Sequence, residues 1–125
     1  HIDLERIYNT GKEHQLHSYN LRINELETLL NQYFMEQKSP SFYAGKMNMT
    51  LKHLNRICKS TLGLTLTDFI YAKIILESKR LLSTQKFTIG EVAALVGFDN
   101  DSYFTRVFKK YSGMTPQQFK KQLLV

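Results

Sequence analysis

Two stretches of this 125-residue chain place cationic and hydrogen-bonding side chains at helical spacing. In the first, Lys52, Asn55, Arg56 and Lys59 fall at i, i+3, i+4 and i+7, on one face of a helix. In the second, Ser102, Thr105, Arg106 and Lys109 repeat those offsets 50 positions later. The residue types suit the edges and backbone of duplex DNA. Arginine bridges O6 and N7 of guanine, asparagine pairs with N6 and N7 of adenine, and serine or threonine reaches a phosphate, a base edge or the thymine methyl. Lysines at the flanks suit phosphate neutralisation. Any amphipathic helix shows a polar outer face, so one such face carries little by itself. Two matched faces, each with its arginine at the same place and few acids nearby, point to DNA. Asp101 is the local exception, and capping the helix start is the job its type and place suggest.

The matched faces belong to a longer internal repeat. Leu54-Asn55-Arg56-Ile57-Cys58-Lys59 aligns with Phe104-Thr105-Arg106-Val107-Phe108-Lys109, Gly63-Leu64-Thr65 with Gly113-Met114-Thr115, and Phe69 with Phe119. Five of the 16 positions from 54 to 69 are identical to their partners and three more are apolar swaps, so one structural unit occurs twice. Each copy opens with a short helix whose small residue stands four before a turn residue, Ala44 before Asn48 and Ala93 before Gly97. This is helix-turn-helix spacing: the small side chain lets the second helix cross closely, and the turn needs a positive φ that Asn and Gly tolerate.

The elements that position these faces read as helices throughout, with no convincing strand pair. Leu21, Ile23, Leu26, Leu29, Leu30, Tyr33 and Phe34 mark an amphipathic helix. Ser39-Pro40 restarts the chain as a helix through Phe42, Tyr43, Ala44 and Met47. Thr50 caps the next, which carries Leu54, Ile57 and Cys58 inward and stops at Gly63. Thr65 or Thr67 caps a longer helix to about Leu82. Thr88-Ile89-Gly90-Glu91 matches a capping box, Asn100 or Asp101 caps the helix carrying Phe104, Val107, Phe108 and Tyr111, and Thr115-Pro116 opens a short last one. Residues 1 to 20 read as a connector with some helix, their apolar pattern broken at Asn9-Thr10-Gly11.

Composition excludes several classes. Cys58 is the single cysteine, so neither an intramolecular disulfide framework nor a Cys-rich zinc module is available. No apolar run approaches the roughly 18 residues of a membrane span, and the chain reads as a soluble cytoplasmic protein. The net charge of +6 divides into −2 over residues 1 to 40 and +8 over residues 41 to 125, a prior for a polyanionic partner. His14 and His17 lack a third ligand, so no metal is expected. His53 reads as a surface or phosphate-proximal side chain. No phosphate loop, nucleophile and base pair or paired catalytic carboxylates can be assembled, so neither an enzyme nor a cofactor is expected. The chain opens on His1 with no signal-like segment, and the expectation is a piece of a longer protein.

Gly97-Phe98-Asp99-Asn100-Asp101-Ser102-Tyr103-Phe104-Thr105-Arg106-Val107-Phe108-Lys109-Lys110, followed by Gly113-Met114-Thr115-Pro116 and Phe119, resembles the signature of the AraC/XylS family of bacterial transcription regulators. Weaker similarity extends through Ile89-Gly90-Glu91-Val92-Ala93, Tyr43-Ala44 and Leu54-Asn55-Arg56, covering about residues 22 to 123. The resemblance implies seven helices, two helix-turn-helix subdomains joined by a long helix, and activation or repression through contacts with RNA polymerase. Base-contacting positions then fall on Lys52, Asn55 and Arg56 in the first reading helix and on Asp101, Ser102, Thr105 and Arg106 in the second. Lys59, Lys109 and Lys110 are the phosphate-contact candidates. Three residues depart from the family pattern: Cys58 stands where Phe is usual, and Lys73 and Lys120 where Arg is common, which keeps the charge but gives up bidentate geometry.

The resulting expectation is an all-α, sequence-specific binder of double-stranded DNA. Its parts are a connector (1 to 20) from an N-terminal sensor and a DNA-binding domain (21 to 125). That domain divides into a first helix-turn-helix at about 39 to 63, a linker helix at about 67 to 83, a second helix-turn-helix at about 88 to 113 and a last helix at about 115 to 123. A linker of about 24 Å, plus the packing at each end, would set two reading helices near the ~34 Å turn of B-DNA, in successive major grooves. An imperfect fit would favour bent DNA. Homodimerisation would run through the missing N-terminal part. The competing reading is a helical protein-interaction module whose basic face meets an acidic protein partner.

Overall fold

A computed structural model describes residues 4 to 124. Among these residues the chain forms seven helices and no strand: α1 (Leu4–Tyr33), α2 (Pro40–Lys46), α3 (Leu51–Leu62), α4 (Leu66–Ser83), α5 (Ile89–Leu95), α6 (Asp101–Ser112) and α7 (Pro116–Gln122). None is long and apolar enough to cross a membrane.

The first helix is longer than its apolar pattern suggests. It runs unbroken through Gly11 for 30 residues, so the connector is helical from Leu4 onward, while residues 1 to 3 lie outside the described residues. One interior glycine costs a helix only about 1 kcal/mol, and Thr10 Oγ1 donates to the Arg6 carbonyl at 2.9 Å within the same stretch. What the break in pattern does record is exposure. Leu16 and Leu21 are 45% and 55% exposed, and among the described side chains of α1 the buried stripe is Ile23, Leu26 and Leu30.

The helix starts follow from local hydrogen bonding. Thr50 Oγ1 accepts from His53 N at 3.1 Å. Asn100, and not Asp101, caps α6: its Oδ1 accepts from Tyr103 N at 3.0 Å, leaving Asp101 as an acidic residue in the first turn. Thr88 and Glu91 close the expected capping box, with bonds of 3.1 and 3.0 Å. A second box joins Thr115 and Gln118 at the start of α7. Ser39 takes the extended N-cap conformation, yet its side chain makes no cap bond; Pro40, which has no N–H, opens α2 by its fixed φ. The helix α4 begins at Leu66, which puts Thr67 inside its first turn.

The described residues cluster into two compact units. One takes residues up to 32 and from 39 to 66; the other takes 33 to 38 and everything from 67 on. The first unit buries Ile23, Leu26 and Leu30 of α1, Tyr43, Ala44 and Met47, and Leu54, Ile57 and Cys58 of α3. Burial raises the Cys58 thiol to about 11, so it is an unreactive apolar filler at neutral pH. The second unit buries Ile70, Ile74, Ile75 and Leu82 of α4, Val92, Ala93, Val96 and Phe98, and Phe104, Val107 and Phe108 of α6. Of the family departures, Lys73 pairs with Glu77 at 3.5 Å along α4, and the Lys120 ammonium makes one bond to the Phe87 carbonyl at 3.1 Å.

Candidate nucleic-acid interface

The two copies turn in the same way. Met49 N donates to the Ala44 carbonyl at 2.9 Å and Phe98 N to the Ala93 carbonyl at 2.8 Å, with both alanines buried. The turn residues hold φ of 55° at Asn48 and 88° at Gly97. Only glycine serves at the second position. A Cβ there would overlap the carbonyl oxygen of Met35, because residues 33 to 38 pack on this turn as part of the second unit. Lys38 secures that packing. Its ammonium donates to the carbonyls of Gly97 at 3.1 Å and Phe34 at 3.4 Å and lies 4.9 Å from the Phe98 ring. Burial holds its pKa below the usual lysine range, with the Asp99 carboxylate opposing. The second copy has one more residue between turn and cap than the first, which is why the turns are 49 apart and the helices α3 and α6 are 50 apart.

From there α3 and α6 agree position by position. Leu54, Ile57 and Cys58 are buried in one, and Phe104, Val107 and Phe108 in the other; Gly63 and Gly113 end both helices in the left-handed conformation. The opposite face is open. Lys52, Arg56 and Lys59 are exposed on α3, as are Asp101, Ser102, Arg106, Lys109 and Lys110 on α6. Asn55 and Thr105, at matched positions, are half-buried on the flank. Asn55 already has a partner: its Oδ1 accepts from the backbone N–H of Leu66 at 2.8 Å, serving the start of α4. The matched residue after Thr105 is Pro116, which has no N–H to satisfy, so no amide is needed there.

Aromatic side chains that no motif singles out surround Arg106. Tyr103 ring and Arg106 guanidinium lie 5.7 Å apart, a contact signalled only by i, i+3 spacing. Tyr71 of α4 stacks on Tyr111 of α6 with centroids 5.4 Å apart and planes within 7°. Tyr111 Oη donates to Asp68 Oδ1 at 3.2 Å. Burial, followed by the neighbouring Tyr103 hydroxyl, pushes Tyr71 up to about 12. These pairings join α4 to α6 across more than thirty residues of chain, which no local spacing reveals. On α3 the place of Tyr103 is taken by His53, packed edge-on against Tyr19 of α1 at 6.4 Å.

Paired helix-turn-helix motifs, each presenting a cationic outer face on its second helix, define a DNA-binding module. The "Helix-turn-helix domain" family description matches residues 43–122, and the chain belongs to the AraC/XylS family of transcription regulators as a C-terminal-type DNA-binding domain. It is 33% identical to the probable transcription factor PqrA of Proteus vulgaris, over 62% of this chain and 64% of that protein. It is 37% identical to the arabinose operon regulatory protein of Escherichia coli, over 54% of this chain and 23% of that protein. Thus it spans less than two thirds of the length of these relatives. The DNA-binding domain of AdpA, solved with a target DNA, has the same fold, with a TM-score of 0.70 at 21% identity, covering 79% of this chain and 89% of that one. The chain is accordingly a DNA-binding domain for transcription regulation.

Proposed function

We propose that the chain binds double-stranded DNA in a sequence-specific manner, with α3 and α6 entering successive major grooves. Support comes from the repeated face: the same pattern of buried and exposed positions over residues 51 to 60 and 101 to 110 aims Arg56 and Arg106 outward from matched sites. Arg56, Arg106, Lys52 and Ser102 contact base edges, with Thr105 and Asn55 at the margin. Lys59, Lys109 and Lys110 hold phosphates. Asp101 is the weakest of the base-contact candidates, being an acid next to a phosphate backbone, and its carboxylate lies where a Cβ on Gly90 would meet it at 2.9 Å. In the whole protein, a cytoplasmic regulator, this domain works alongside a sensor that precedes it, pairs with a second copy through that sensor, and contacts RNA polymerase.

Selection from a pool of random duplexes tests this reading. The expected product is a split site with two motifs about one helical turn apart, roughly 10 base pairs. A single motif would leave one helix out of the groove. No affinity for any duplex at low salt would overturn DNA binding and favour an acidic protein partner.

A further inference from the structure

Arginine reads guanine well only when its planar guanidinium is presented edge-on in the groove, and a long exposed side chain loses conformational freedom in reaching that pose. On α6 the ring of Tyr103 lies 5.7 Å from the guanidinium carbon of Arg106. Tyr103 is 45% exposed, yet its ring is not loose. It rests against Phe98, a buried residue, at 5.6 Å between centroids, and it lines one cleft with Tyr71 of α4. Tyr71 is in turn stacked on Tyr111, whose hydroxyl is held by Asp68. Thr67, Val107 and Lys110 complete an open cleft of about 280 Å³ beside the three tyrosines and Arg106. The Tyr103 ring is therefore backed by the buried Phe98 on one side and faces the Arg106 guanidinium on the other.

We propose that Tyr103 is a positioning residue for Arg106, its ring a platform that orients the guanidinium before DNA arrives, with the ring of Phe98 packed behind that platform. The proposal rests on Arg106 reading a base. It separates two arginines that stand at matched positions: Arg106 is oriented in advance by a braced phenol, while the corresponding place beside Arg56 holds His53, whose ring packs on Tyr19.

The test compares affinity for the duplex selected above with affinity for a random duplex, in wild type, Tyr103→Phe, Tyr103→Leu, Arg106→Ala and the Tyr103→Leu/Arg106→Ala pair. Phe retains a ring and keeps the ratio of the two affinities within about two-fold of wild type. Leu lowers the ratio about two- to five-fold, the scale of an exposed cation–π contact, and lowers it no further when Arg106 is already Ala. A second readout needs no DNA: proton NMR of Arg106 shows its δ-methylene signals shifted upfield by the ring in wild type and Phe, and unshifted in Leu. Unshifted Arg106 signals in wild type overturn the proposal, even if Leu fails to fold. So does a Leu variant that weakens random and selected duplex alike, or one whose effect persists without Arg106. Wild type that shows the upfield shift but binds no duplex overturns the DNA reading itself, and the platform's role with it.

Discussion

Side chains at matched positions in the repeat carry different loads. Arg56 and Arg106 both face outward, and each replaced by Ala should cost about 1 to 3 kcal/mol on the selected site, with less effect on random duplex. Competition binding measures this, and equal losses on both duplexes would reassign them to phosphates. Asn55 is different because its carbonyl oxygen is engaged by Leu66 N–H. Pairing with adenine in the two-bond manner calls on that same oxygen to accept from N6. Asn55→Ala should therefore lower fold stability by about 1 kcal/mol, read as a fall in urea midpoint at constant slope. A fall in specific affinity with unchanged stability would return Asn55 to the groove. Thr61, aligned with Tyr111, has its Oγ1 buried without a hydrogen-bond partner. Thr61→Val should accordingly raise stability by up to about 1 kcal/mol in the same measurement, by relieving an unpaired hydroxyl.

Among the elements, the turn of the second helix-turn-helix is the most constrained. Its positive φ would be unfavourable for alanine anywhere, but the carbonyl of Met35 adds a collision that a mere turn would lack. Gly97→Ala is expected to cost well over 2 kcal/mol, whereas Asn48→Ala in the first copy should cost about 1 kcal/mol. Lys38→Met keeps the apolar stem and removes the ammonium that satisfies the Gly97 and Phe34 carbonyls, for a loss of about 1 to 2 kcal/mol. Thermal unfolding of the three variants orders them, and a Gly97→Ala protein as stable as wild type would show that residues 33 to 38 do not hold this turn. None of this coupling was visible in the pattern. Gly97 was legible as a turn residue from the Ala93 spacing, but its neighbour Met35 is 62 positions away in the chain.

For the whole molecule, charge sets the response to salt. A balance of +8 over residues 41 to 125 suits about six to eight phosphate contacts, so affinity for duplex should fall by orders of magnitude between low and moderate salt. Lys109→Ala should reduce the slope of log affinity against log salt by about one unit with little change in site preference; an unchanged slope would remove Lys109 from the interface. Both the all-helical fold and the two matched polar helix faces could be read from the chain, because apolar periodicity, caps and an internal repeat are local signals that repeat and so reinforce one another. Leu54, Ile57 and Cys58 against Phe104, Val107 and Phe108 announce their buried side by spacing alone. What spacing does not carry is which polar groups meet across the fold. That Asn55 serves Leu66, that Lys38 closes the Gly97 turn and that Tyr71 stacks on Tyr111 depend on groups distant in sequence being brought within hydrogen-bonding or ring-packing range. Such pairings are short-ranged and directional, so only the folded chain decides them.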